Sequence, residues 1–154
     1  MSNILKYIAL AALVGNESVH AVNLKAQSKG LYDGSKFEVN LTQQGTENRR
    51  CQQGEVAVVN YTGKLKSDGT VFDSTAKKDA PFSFVLGQAE VIECWDEGFK
   101  KMDVGSKATF ECPASMAYGD VMKPGIPENS DLVFDVELLD CVKDEMNNVD
   151  ISQL

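Results

Sequence analysis

Histidine is nearly missing from this chain: among 154 residues there is one, His20. The strongly patterned stretch over residues 54–139 holds none, and it offers no credible nucleophile beside a base. That excludes most hydrolytic and phosphoryl-transfer chemistry, which leans on an imidazole to move protons. Positive charge is scarce too. Lys and Arg number 15 against 23 Asp and Glu, for a net charge of −8. A nucleic-acid partner demands a basic face, so none is expected. The acidic balance reads as solubility. No apolar run reaches the ~20 residues of a membrane-spanning helix, and no span is expected. No two cysteines have Cys-x-x-Cys spacing, and no histidine is at hand to complete a metal site. Nothing points to a metal, a nucleotide or a redox cofactor.

What is present begins with a targeting segment. Lys6 supplies a thin positive region, residues 7–14 an apolar run, and Val19-His20-Ala21 the small-residue pattern of a cleavage site. Residues 1–21 read as a secretory signal peptide and residues 22–154 as the mature chain. In an oxidising compartment the 4 cysteines, Cys51, Cys94, Cys112 and Cys141, allow two disulfides in any of three pairings. Cys112, in a β-like run, also reads as a buried apolar residue. Two sequons follow the leader. Asn40-Leu41-Thr42 falls where a glycan can be accommodated; Asn60-Tyr61-Thr62 falls at a strand end, where a glycan threatens folding.

Residues 22–53 form a polar N-terminal arm in which Phe37, Val39 and Leu41 alternate like a short strand. Residues 55–61 are a valine-rich β run. Ser67-Asp68-Gly69 is a turn, and extended structure resumes over residues 70–73. Pro81 opens a second β run over residues 82–86, closed by Gly87. The one helix carries Trp95, Phe99 and Met102 at i, i+4 and i+7, with Asp96, Glu97, Lys100 and Lys101 expected to face outward. Residues 107–112 and 131–139 complete the strands, and Leu132, Phe134, Val136 and Leu138 share one face of the last. Between them residues 113–130 form a loop long enough to carry function. The acidic tail, residues 142–154, reads as mobile.

Nine segments in this order are familiar together: Val59-Asn60-Tyr61-Thr62-Gly63, Gly69-Thr70-Val71-Phe72-Asp73-Ser74, Pro81-Phe82-Ser83-Phe84-Val85-Leu86-Gly87, Glu90-Val91-Ile92, Trp95-Asp96-Glu97-Gly98, Met102-Asp103-Val104-Gly105, Ala117-Tyr118-Gly119, Pro124-Gly125-Ile126-Pro127 and Leu132-Val133-Phe134-Asp135-Val136-Glu137-Leu138. Residues 54–141 resemble the FKBP-type peptidyl-prolyl cis–trans isomerase domain. The resemblance implies an α+β fold, an antiparallel β half-barrel wrapped around one short α-helix, with the ligand pocket between them. Taken singly, Phe72, Phe134 and Trp95 read as core residues, and Asp73 beside Ser74 as turn chemistry. The nine segments in register overrule those readings.

The resemblance assigns roles residue by residue. Trp95 resembles the indole floor under a proline ring, with Phe82, Val91 and Phe134 as walls and Tyr61 and Phe72 beside them. Ile92 presents its backbone N–H to a substrate carbonyl, and Tyr118 donates its hydroxyl to another. Asp73 resembles the carboxylate that orients Tyr61, Glu90 contributes backbone contacts at the rim, and Ile126 joins the substrate-binding set. Tyr61, Asp73 and Tyr118 are the catalytic candidates. The family fold favours pairing Cys94 with Cys112 and Cys51 with Cys141.

Two departures from the family pattern stand out. Glu93-Cys94 replaces the more usual basic residue and glycine before Trp95, which places the pocket floor in question. The segment 120–129 is one residue short and carries Met122 where glycine is common. The function implied is isomerisation of X–Pro bonds in folding polypeptides; the alternative is a non-catalytic proline-binding module or chaperone using the same pocket. Expected partners are proline-containing polypeptides and a macrolide ligand of the rapamycin type, bound by a monomer. The secretory pathway is the expected location, secreted or in the endoplasmic reticulum lumen. Ile151-Ser152-Gln153-Leu154 is not a KDEL-type retention signal.

Overall fold

Branched apolar residues alternate with polar ones along two long stretches, and these become the two central strands. In the computed structural model, which describes residues 36–143, they are β2 (Glu55–Leu65) and β6 (Leu132–Lys143). Around them lie β1 (Glu38–Gln43), β3 (Val71–Ser74), β4 (Phe82–Val85), β5 (Lys107–Cys112) and one α-helix, α1 (Glu93–Phe99). The leader at 1–21 and the tail beyond 143 fall outside the described residues. The six strands form one antiparallel sheet in the order β1-β5-β6-β2-β3, with β4 also pairing β2. This is the α+β half-barrel and short helix that the resemblance implied.

Strands β3 and β4 share one edge of β2. The first pairs with residues 62–64 and the second with residues 56–59. The gap between them falls at Tyr61, whose backbone is satisfied by a side chain instead. The Thr75 hydroxyl accepts from the Tyr61 N–H at 3.0 Å and donates to its carbonyl at 3.3 Å. A buried edge thereby stays free of orphan polar groups, and Tyr61 is fixed where the sheet opens.

Strict alternation carries Leu132, Phe134, Val136 and Leu138 to the inner face of β6, all at most 3% exposed. Beyond them the register slips: Val59 pairs with Leu138, but Val58 pairs with Asp140. One extra residue on β6 reverses the parity of its side chains. Cys141 consequently turns inward and meets Cys51, the two Cα atoms 5.3 Å apart. The second disulfide joins Cys94 on α1 to Cys112 on β5, with Cα atoms 5.8 Å apart. Both pairings are the ones the family fold favoured, and no free cysteine remains among the described residues.

The helix is shorter than its apolar spacing suggested. It ends at Phe99, and the chain tightens through Lys101 N–H to Gly98 O (3.0 Å) and Met102 N–H to Phe99 O (3.2 Å). Such tightening at a helix end still satisfies its last carbonyls, and Met102 remains fully buried. Asp96 corrects the expected outward face. It is 9% exposed and accepts from the backbone N–H groups of Gly87 (2.8 Å) and Ala89 (3.3 Å). These bonds tie the turn after β4 to α1. Gly98 explains how closely the helix lies on the sheet: a Cβ there would meet the Phe110 ring at 2.5 Å. Phe37, just before β1, and Val39 on it pack on the core, whereas Leu41 is 52% exposed beside the register shift of the strand.

Candidate active site

Odd-numbered residues of β2 face inward, which brings Tyr61 and Gly63 to the concave side of the sheet. Phe72 and Asp73 arrive on β3, Phe82 on β4, Trp95 on α1 and Phe134 on β6. Trp95 is 5% exposed and forms the hub of the site. Its ring lies 4.9 Å from Tyr61, 5.3 Å from Phe134, 5.4 Å from Phe99, 5.8 Å from Phe84 and 6.0 Å from Phe82. Most of these contacts are edge-to-face, the favoured geometry for aromatic pairs. Phe84 and Phe99 pack against the indole; helical spacing placed Phe99 on the apolar face of α1, and nothing in the sequence revealed what either ring holds in place.

These rings enclose a cavity of about 540 Å³. Ten of the eleven residues assigned to the pocket by resemblance line it: Tyr61, Phe72, Asp73, Phe82, Glu90, Val91, Ile92, Trp95, Tyr118 and Phe134, joined by Glu93 and Ala117. Ile126 is the exception. Reciprocal backbone bonds with Lys123, at 3.0 and 2.9 Å, close a tight turn, and Ile126 belongs to the buried core at 5% exposure. Cys94 lines nothing, because its side chain is drawn away to Cys112. The unusual Glu93-Cys94 pair therefore leaves the aromatic floor intact. A larger groove of about 590 Å³ lies on the outer face of the sheet. It has no cluster of aromatic rings, and three of its four charged lining residues, Lys107, Asp135 and Glu137, are engaged in ion pairs.

Polar groups are few in the pocket and specifically placed. The Tyr61 hydroxyl donates to Asp73 Oδ2, and Lys78 Nζ donates to the same oxygen at 2.9 Å and to the Tyr61 hydroxyl at 3.3 Å. Burial, then the hydrogen bond to Asp73, push the Tyr61 hydroxyl above the ordinary tyrosine range. Burial acts to raise Asp73, but the hydrogen bonds from Tyr61, Lys78 and the Ser74 N–H prevail and hold it below the ordinary carboxylate range. Lys78 was not anticipated; it lies 5 residues past Asp73 on an exposed turn and gave no sequence signal. Glu90 also does more than its backbone suggested, since its carboxylate accepts from the Val85 N–H at 2.9 Å.

Two donors at the rim of the pocket are left without protein acceptors among the described residues. The Ile92 N–H precedes the first turn of α1, where helical partners are lacking. The Tyr118 hydroxyl is likewise unbonded; desolvation first and the Asp73 charge second raise it above the ordinary tyrosine range. The buried Trp95 N–H also lacks a partner.

A family model described as FKBP-type peptidyl-prolyl cis-trans isomerase matches residues 47–139. The chain belongs to this family. Its similarity to named relatives agrees. The chain is 47% identical over 92 residues to the peptidyl-prolyl cis-trans isomerase FPR2 of Saccharomyces cerevisiae, covering 59% of this chain and 68% of that one. Against the isomerase Fkbp12 of Drosophila melanogaster it is 48% identical over 89 residues, 57% of this chain and 82% of the relative. The FK506-binding protein 2 of Candida glabrata is 38% identical over 118 residues, 75% of this chain and 87% of the relative. This FKBP is a peptidyl-prolyl isomerase. Among its described residues no helix is long and apolar enough to cross a membrane. The closest approach to a metal-ligand cluster among those residues, Cys51, Glu55 and Cys141, offers no thiolate because its two sulfurs are bonded to each other.

Gly63 is an instructive position in this FKBP pocket. A Cβ there would meet the Phe72 ring at 2.6 Å and the Phe134 ring at 2.9 Å, pressing both walls inward. Gly63→Ala is expected to cost about 1–3 kcal/mol of stability and to raise KM more than it lowers kcat. Steady-state kinetics beside denaturant unfolding check this; an unchanged KM contradicts the placement.

Proposed function

We propose that this pocket isomerises X–Pro bonds in polypeptides folding within the secretory pathway. The observation that carries the proposal is a cavity lined by aromatic rings whose rim offers two unused donors, the Ile92 N–H and the Tyr118 hydroxyl. The barrier is the amide's resonance, about 18–20 kcal/mol, and no covalent bond breaks. The proline ring stacks on Trp95 between Phe82, Val91 and Phe134. Ile92 and Tyr118 hold flanking carbonyls, so that binding energy from neighbouring residues fixes the bond in place. An apolar surround disfavours the charge-separated planar amide relative to the twisted one. Only that difference between the two states raises the rate. Asp73 keeps Tyr61 oriented and balances Lys78. The two disulfides and the leader-like N-terminus support an oxidising, secretory location.

The deciding measurement is the isomerisation rate of an X–Pro peptide with oxidised protein, with and without excess macrolide of the rapamycin type. Fast turnover abolished by the macrolide is expected, along with a change in fluorescence of Trp95, the single tryptophan. Saturable peptide binding without turnover would instead identify a binding module.

Because the two tyrosines and the aspartate of the pocket are shifted away from neutrality, kcat/KM is expected to stay flat from about pH 5 to pH 9. Tyr61 and Tyr118 are pushed up, and Asp73 is pushed down. A bell-shaped profile over that range would reject a purely non-titrating mechanism. The depressed Asp73 has a second consequence. Its contribution to stability is fully present above the ordinary carboxylate range and is lost as pH falls through its lowered folded value.

A further inference from the structure

The pocket leaves one sequence feature unused: the two sequons beyond the leader, at Asn40 and Asn60. N-glycosylation joins a bulky saccharide to an Asn side chain in Asn-X-Ser/Thr. Transfer occurs during entry into the lumen, so the folded chain must leave that side chain an open exit. The two asparagines differ sharply in this respect.

Asn60 occupies the middle of β2, opposite Glu137 of β6. It is half-buried, and its Nδ2 donates to Glu137 Oε2 at 3.4 Å. The Thr62 hydroxyl of the same sequon is bonded to Ser74 Oγ at 3.0 Å. Both residues line the outer groove beside the Lys107–Glu137 ion pair. A saccharide on Asn60 would leave from within this groove and crowd the Glu137 carboxylate that Asn60 bonds. Tyr61 between them belongs to the pocket, so distortion of β2 there is costly.

Asn40 lies on β1, at the end of the sheet, whose one neighbour among the described residues is β5. Phe37 and Val39 pack on the core, so alternation turns Asn40 and Thr42 to the outer face. Asn40, Leu41 and Thr42 are all exposed, and Asn40 bonds to no other side chain among the described residues. We infer that Asn40 is an N-glycan acceptor and that Asn60 stays unmodified in the folded protein. This rests on the secretory reading above. The saccharide's anomeric carbon passes from a lipid-linked pyrophosphate donor to Asn40 Nδ2. The C1–O bond breaks, the C1–N bond forms, Nδ2 gives up one proton, and the lipid pyrophosphate leaves. The glycan leaves β1 on the face opposite the pocket, beside an edge that pairs with no other strand among the described residues.

The test expresses the full chain in eukaryotic secretory cells, once with its own leader and once behind an unrelated cleavable secretory leader. Endoglycosidase sensitivity is read with peptide mapping that distinguishes the sequons. The expected result in both arms is an endoglycosidase-sensitive shift at Asn40, lost in N40Q and in T42A and kept in N60Q. The isomerase rate of N40Q should equal that of the parent chain. A luminal, disulfide-bonded chain unmodified at Asn40, or one folded and modified at Asn60, overturns the inference. Modification at Asn40 behind the unrelated leader alone supports the acceptor and rejects the secretory reading.

Discussion

Replacing Cys51 and Cys141 together with alanine is expected to lower the unfolding free energy by about 4–5 kcal/mol. The bond closes a loop with a sequence separation of 90 residues, and the chain-entropy account assigns loops of that length this magnitude. It also fastens the end of β6 to the segment before β2, where both cysteines are at most 5% exposed. A loss of this size moves the melting temperature by on the order of 20 °C for a domain near 100 residues. Cys94–Cys112 is the internal comparison. With a separation of 18 residues, its loss is expected to cost about 3 kcal/mol. Thermal and denaturant unfolding of the two paired-alanine variants checks the order. A change below about 1 kcal/mol for the longer loop would show that the ends of the domain are held by packing alone.

The second large effect is on catalysis. Asp73→Leu is expected to reduce kcat/KM ten- to a hundredfold while the fold persists. Asp73 accepts from the Tyr61 hydroxyl, from Lys78 and from the Ser74 N–H. Leucine leaves the tyrosine without its orienting acceptor and leaves the Lys78 charge uncompensated at the rim of an aromatic-lined cavity. Hydrogen bonds to a charged group contribute roughly 1.5–3 kcal/mol each, and 1.4–2.7 kcal/mol in the transition state is about ten- to a hundredfold in rate. Asp73→Asn, which still accepts from Tyr61, should retain more activity, and Tyr61→Phe should lose less than Asp73→Leu. Peptide isomerisation kinetics with circular dichroism as the folding control decide the matter; a loss below twofold for Asp73→Leu would remove Asp73 from the mechanism.

Much of this was legible in one dimension. Alternation along residues 132–138 named the inner face of β6, because a strand places every second side chain on the same side. The pocket set from Tyr61 to Phe134 was recognisable because nine short segments keep their order, and ten of its eleven members do line one cavity. Helical spacing found Trp95 and Phe99. It overextended the helix to Met102, since a tightened turn can bury the same residue without continuing the helix. Asp96 was misread as outward because a helical wheel cannot show a neighbouring turn with two N–H groups in need of an acceptor.

By itself, then, the sequence determined the excluded chemistry and the strand faces, which follow from composition and from the period of two residues along a strand, whereas the membership of the pocket came from the resemblance of nine ordered segments to the family. Tertiary structure alone decided three things. The bulge near the end of β6 reverses its parity and brings Cys141 to Cys51. The split of β3 from β4 along β2 makes Thr75 the partner of the Tyr61 backbone. The turn after Ser74 carries Lys78 back onto Asp73. Each depends on where separate segments meet in space, and local sequence carries no measure of that distance.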